Sequence, residues 1–320
     1  MLYGIVLLAL ISVISFVIIQ LPPGDWLSSY VATLRVQGTQ VSDEMISELR
    51  VQYGLDLSPV EQYFKWMLGL LQGNMGFSFG YNRNVTELVL ERLPITLLIS
   101  FLGISATYLI AIPIGIISAV RQYSFIDYLA TFIGFIGLSV PNFLLALLSS
   151  YLAYKFLGLS IGGLNSPEFM TQPMSWAKLW DTIVHLPLPI LVIALAGAAP
   201  LVRVLRGTLL DELKKPYVVT ARAKGVPMGR AILKYPVRVA MNPIISSAAW
   251  VLPGVISGQI IVSIVMNIPD IGPLLYQALI SQDAYLAGSI VMILAALVIA
   301  GALISDVLLA MVDPRIRLEK

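Results

Sequence analysis

The sequence predicts an all-α integral membrane protein with six transmembrane helices and a small helical segment outside the bilayer, between the first and second spans. Three observations lead there. Hydrophobic residues make up 58% of the 320 residues and charged residues only 12%, with a mean hydropathy of +0.87; an ordinary soluble domain is about 25% charged. The apolar residues fall in continuous runs, each long enough to cross a hydrocarbon core of about 30 Å, which needs about 20 residues of helix. Runs of this length do not suit the roughly ten-residue alternating strands of an outer-membrane barrel. Finally, lysine and arginine are shared unequally between the loops.

In chain order the runs cover residues 2–21, 94–120, 128–156, 185–202, 244–268 and 285–312. The first reads as a retained anchor, since its apolar run exceeds an ordinary signal-peptide core and the LPPGD that follows lacks a small-x-small cleavage site. Residues 22–93 form the extracytoplasmic segment. There Ser42, followed by acids, reads as the N-cap of a helix over 43–53, with Met45, Ile46, Leu49 and Tyr53 on one face and Gly54 as its stop. Ser58 and Pro59 open a second helix over 60–71, which Gly73 ends. About 70 residues bury little core alone, so this segment is expected to lean on the spans, as a packed cap or as a surface that receives a delivery protein. Gly162, Gly163, Pro167 and Pro173 make 158–184 an ordered outer loop. Residues 94–320 then form a five-helix core with a cytoplasmic loop over 203–243.

Orientation follows from charge. With the N-terminus inside, the inner loops hold Arg121, then Arg203, Arg206, Lys214, Lys215, Arg222, Lys224, Arg230, Lys234 and Arg238, then Arg315, Arg317 and Lys320. Those are thirteen of the 20 basic residues, and most others sit in one long outer segment where the positive-inside rule counts least. Both termini are therefore expected in the cytoplasm. The spans themselves carry few chemical groups. Asp306 is an ionisable residue close to Asp313, Arg315 and Arg317, so pairing or hydration is expected. Pro113, Pro141 with Asn142, Pro200, and Pro253 with Gly254 interrupt helices; each is a kink or a freed carbonyl beside a cavity. Gly134, Gly137 and Ser139, and Gly254, Ser257 and Gly258, offer small packing faces.

Catalysis has little to stand on. The absence of cysteine removes disulfides, thiolate metal sites and cysteine nucleophiles. No GxxxxGK[ST] occurs, and GVPMGRAI lacks its lysine and hydroxyl. His185 has no ligand-spaced partner and reads as an interfacial polar residue, and Ser100, Ser139, Ser149 and Ser150 have no nearby base.

Residues 214–244, KKPYVVTARAKGVPMGRAILKYPVRVAMNPI, are the most informative stretch. Pro216 suits the first turn of a helix, Gly225 a left-handed end and Pro227 a stop, which predicts two helical turns over 217–224. Ala221 and Ala223 permit close approach, and Arg222 and Lys224 can reach acids or carbonyls around a groove. Arg230, Lys234 and Arg238 form a cationic stripe facing solvent or lipid headgroups. From the residues alone, a topogenic basic helix and a partner-docking helix both remain open.

ARAKG in this loop, LPPGD, the run YGLDLSPVEQYFKWMLGLLQGNMGFSF, RLPITL and the terminal DPRIR together resemble the dipeptide/oligopeptide/nickel permease family of ABC importers, over residues 21–317. The resemblance implies the type I importer permease fold and a role as the transmembrane subunit of an ATP-driven, binding-protein-dependent importer of di- or oligopeptides. It also implies that 217–225 is the EAA motif, whose coupling helix enters a cleft of a cytoplasmic ATPase. Tyr217, Ala221, Arg222, Ala223, Lys224 and Gly225 are then the ATPase-coupling residues. The partners implied are a second related permease subunit, forming a heterodimer, two ATPase subunits that bind the ATP, an extracytoplasmic substrate-binding protein and membrane lipid. No cofactor, metal, catalytic residue or nucleic-acid partner of its own is expected. The chain departs from the family pattern after Gly225, where Tyr235, Val237 and Arg238 stand at the I-x-L-P positions, and at Asp270, where P-G-φ-G is usual. Oligosaccharides or nickel chelates are alternative cargoes on the same architecture; a secondary transporter or channel is the alternative of another class.

Overall fold

A computed structural model describes residues 2–21, 26–36, 42–52, 55–78, 80–159 and 162–312. In chain order it contains α1 (Leu2–Gln20), α2 (Trp26–Val36), α3 (Asp43–Gln52), α4 (Pro59–Leu71), a hairpin of β1 (Phe77–Ser78) and β2 (Arg83–Asn84), α5 (Val85–Val120), α6 (Phe125–Ser139), α7 (Asn142–Leu157), α8 (Trp176–His185), α9 (Pro187–Leu213), α10 (Pro216–Ala223), α11 (Met228–Lys234), α12 (Pro236–Ser246), α13 (Ala248–Val265), α14 (Ile271–Ile280) and α15 (Ala284–Val312). LPPGD beyond Leu21, Tyr53 with Gly54, and DPRIR lie outside the described residues.

By length and composition, four helices among the described residues can cross a membrane, and six spans result if each of two bent pairs is one span. Within 128–156 the break falls at Pro141, as expected, whereas the bend near 244–268 falls before Trp250 and α13 runs on through Pro253 and Gly254. α6 and α7 meet at 113°, because Pro141 has no N–H to continue the ladder and pushes Val140 out of the helical region, to φ −90° and ψ 123°. The second pair, Met228–Ser246 with Trp250–Val265, bends by 55°. Other spans run longer than expected. α5 starts at Val85 rather than Pro94, and α8 with α9 makes one stretch over Trp176–Leu213. The 38 residues of that stretch extend about 57 Å at 1.5 Å each, so part of it must project beyond the hydrocarbon.

The chain divides into two units, Met1–Thr96 with Pro269–Ile299, and Leu97–Ile268 with Ala300–Lys320. In the first, α4 starts with a capping box: Ser58 Oγ accepts from Glu61 N at 3.4 Å, and Glu61 Oε2 accepts from Ser58 N at 2.9 Å. Its buried Trp66 stacks on Phe16 of α1 and donates from Nε1 to Ser289 Oγ of α15 at 3.3 Å. Gly288 makes that approach possible, since a Cβ there would lie 3.0 Å from the indole. Asp283 accepts from Ser78 Oγ at 2.6 Å and from Leu286 N at 3.2 Å, so one carboxylate caps α15 and ties down the hairpin. α4 thus leans on α1 and α15, and the hairpin on the start of α15. On α3, Ser42 Oγ accepts from Met45 N at 3.3 Å, as an N-cap should.

The second unit is built around α9, with α6, α7, α12 and α13 packed on it. Leu201, Leu205 and Leu209, spaced by four, are fully buried along it. At one end Arg206 donates to Asp127 of α6, Nε to Oδ1 at 2.7 Å and Nη2 to Oδ2 at 2.8 Å. Ser118 Oγ and Tyr123 N also donate to that carboxylate. At the other end Gly163 N donates to Met266 O at 2.6 Å. The turn around Arg121 therefore lies beside Arg206 in the C-terminal part of α9, and Gly163 lies beside the C-terminal end of α13.

Candidate functional site

The basic loop carries seven cations, Lys214, Lys215, Arg222, Lys224, Arg230, Lys234 and Arg238, and no acid between 213 and 243; all seven are exposed. α10 begins at Pro216, where the missing N–H costs nothing, and ends in a Schellman turn. Gly225 N donates to Arg222 O at 2.9 Å and Val226 N to Ala221 O at 3.2 Å. Gly225 is at φ +79° with open space where a Cβ would go, so only backbone conformation demands glycine there.

The inner face of α10 is apolar. Val218 and Ala221 are 3% and 8% exposed, and α10 packs on α11, whose Ala231 and Ile232 are buried in turn. α11 packs on α12, and α12 on α9. Tyr217 closes a second link: its hydroxyl donates to Glu212 Oε2, in the last turn of α9, at 2.5 Å. Burial first, and then the Glu212 hydrogen bond and charge, push the Tyr217 hydroxyl up to about 12. The outward face holds Val219, 63% exposed, with Arg222 and Ala223 at i+3 and i+4.

The six sequence-derived coupling residues therefore divide by task. Arg222, Ala223 and Lys224 are exposed, Gly225 makes the turn, and Tyr217 ties α10 to α9. Ala221 faces inward, which corrects the reading of both alanines as an approach surface. Val219, not among the six, is exposed on the same face as Arg222 and Ala223, and its spacing of three and four from them was the available signal. Arg230, Lys234 and Arg238 are exposed, but their stripe is split between α11 and α12 at Tyr235.

Three of the positions expected to interrupt helices converge elsewhere, although α9 runs unbroken through Pro200 and α13 through Gly254. Asn142, Pro200 and Gly254 line one cavity of about 210 Å³ within the second unit, with Ala196, Trp250 and Gly258 among their neighbours; Pro113 does not line it. Asp306 is exposed on α15, and the residues expected to pair with it lie outside the described residues. His185 sits buried at the α8–α9 junction, its Nδ1 2.7 Å from the Asp181 carbonyl oxygen. Ser149 bonds back to the Ala146 carbonyl at 3.1 Å and Ser100 donates to Gln259 Oε1 at 2.5 Å.

Residues 111–318 match the family described as binding-protein-dependent transport system inner membrane component, and residues 1–100 match the N-terminal part described for such membrane components. The chain belongs to this family. It is 35% identical over 307 residues to the oligopeptide transport system permease protein AppB of Bacillus subtilis, covering 96% of this chain and 94% of that one. It is 28% identical to the peptidoglycan transport system permease protein YejB of Agrobacterium fabrum, covering 96% and 93%. The chain is thus an inner-membrane permease component of an ABC importer, all-α, of a family that works with ABC partner subunits and a substrate-binding protein. A secondary transporter or channel finds no support in these matches.

Proposed function

We propose that this permease imports di- or oligopeptides and that α10 is the helix through which separate ATPase subunits drive it. The peptide cargo rests on the oligopeptide permease as a relative aligned almost end to end. The observation that carries the coupling role is the two-sided build of α10. Its outer face, Val219, Arg222 and Ala223, is free, while its inner face is joined to α9 through α11, α12 and the Tyr217–Glu212 bond. A helix mounted this way transmits displacement instead of absorbing it. Arg222 and Lys224 suit the carbonyls and acids of a groove, and Ala223 lets the helix sit deep in it.

Both termini and the basic loop lie in the cytoplasm, and 22–93 lies outside the cell membrane beside the site where a binding protein delivers substrate. A second, related permease subunit completes the pathway as a heterodimer, and two ATPases hold and hydrolyse the ATP. ATP binding shifts the spans only to the extent that the ATPases contact α10 differently in the two states.

Ala223→Glu and Arg222→Glu should abolish capture of the ATPase subunits by the permease in a detergent pull-down without impairing membrane insertion. Undiminished capture by both variants would defeat the docking assignment. Peptide uptake by the whole transporter in proteoliposomes, dependent on ATP and binding protein, tests the cargo.

A further inference from the structure

The cavity in the second unit is walled by three helices, two of which contain a proline and one of which starts just after one. On α9, Pro200 has no N–H to offer the Ala196 carbonyl one turn earlier, and Ala196 lines the cavity. α7 enters at its first residue, Asn142, immediately after the break at Pro141. α13 presents Trp250, Gly254 and Gly258, a row at i, i+4 and i+8 on one face.

Two polar side chains there have no protein task. Neither the half-buried amide of Asn142 nor the indole N–H of half-exposed Trp250 makes a hydrogen bond to any described residue. Of the two glycines, Gly258 leaves room for the amide and Gly254 leaves the cavity open. A Cβ at Gly258 would lie 2.9 Å from Asn142 Nδ2, displacing it, whereas one at Gly254 would meet nothing within 4 Å and would simply fill the cavity.

We propose that this cavity is a transit subsite for the peptide backbone, in which the Asn142 side chain pairs with one peptide group of the passing substrate. This rests on the peptide-import reading and deepens it. A primary amide offers one acceptor and a donor side by side, the complement of a peptide C=O and N–H, and so recognises a feature every peptide has. The Ala196 carbonyl adds an acceptor, and Trp250 an apolar face with one donor. No lining residue is charged, so the subsite discriminates little among side chains. Its 210 Å³ equals about seven waters at roughly 30 Å³ each, room for one or two residues of an extended peptide.

The chain has no cysteine, so a single one can be placed in the native background of the assembled transporter. In proteoliposomes containing both permeases, the ATPases and the binding protein, Gly254→Cys should react with a membrane-impermeant methanethiosulfonate. An imported tripeptide with ATP should slow that reaction severalfold. Ala196→Cys, on α9, serves if Gly254→Cys does not co-purify with its partners. Asn142→Leu should lower tripeptide uptake at saturating binding protein by about threefold to tenfold, the span of one neutral hydrogen bond, with Asn142→Gln recovering part of it. Labelling indifferent to the peptide, protection by an oligosaccharide instead, or full uptake by Asn142→Leu would each overturn the subsite. Wild-type transporter that imports no peptide would defeat the underlying reading instead, so the two failures are separable.

Discussion

Tyr217 shows how one side chain ties a short helix to the end of a long one. It stays a neutral donor to Glu212 well past the pH at which a tyrosine ordinarily ionises, because burial and the neighbouring carboxylate both oppose its anion. An unfolded tyrosine titrates near about 10. The native form therefore keeps a proton that the unfolded form loses, and the bond's contribution is complete below about pH 10 and disappears as pH climbs towards about 12. Ultraviolet titration of wild type minus Tyr217→Phe should show one tyrosine ionising near that upper limit; a difference curve centred near 10 would mean the bond is not held. Asp127 works at the other residue-level joint. Its carboxylate, buried among Arg206, Ser118 and Tyr123, binds the start of α6 to the end of α9. Asp127→Asn removes the charge while Arg206, 27% exposed, can still reach water, so the loss should be about 1–3 kcal/mol and not the 3–5 of a fully buried pair. Thermal unfolding in detergent measures it, and an unchanged midpoint would refute it.

Elements meet here through small residues, and the two glycines of α6 separate cleanly. At Gly137 a Cβ would stand 2.9 Å from the Leu195 carbonyl oxygen of α9, a backbone atom that cannot step aside, whereas at Gly134 nothing lies within 4 Å. Alanine gains about 1 kcal/mol of helix propensity at either site, but overpacking costs about 1–3 kcal/mol. Gly137→Ala should thus lower the thermal midpoint and Gly134→Ala raise it or leave it unchanged; matching signs would contradict this packing. Both glycines were legible as small faces in the sequence. Which of them is against a neighbour was not, since a spacing of three places both near one side of a helix without saying where α9 passes. The break at Pro141 is similar. Proline announced an interruption, but its 113° amplitude depends on both halves finding places against α9.

At the scale of the whole molecule, charge is the organising quantity. Thirteen of the 20 lysines and arginines lie on the proposed inner side. In the cysteine-free chain, Thr171→Cys in the outer loop should be labelled in intact cells by an impermeant maleimide, and Thr220→Cys in α10 only in inverted vesicles. The reverse pattern would invert the topology. Much of this protein could be read from its residues. Continuous apolar runs can only be satisfied as helices in hydrocarbon, so the membrane class follows from composition. Pro216, Gly225 and Pro227 delimit α10 to within a residue, because the φ limits of proline and glycine act locally. Tertiary structure alone decided which face of α10 is available, turning Ala221 inward and Val219 outward. It also gathered Asn142, Pro200 and Gly254, residues far apart in the chain, around one cavity. Helical spacing specifies what shares a face; only the neighbours packed against each helix determine whether that face is buried, lines a cavity or is left for a partner.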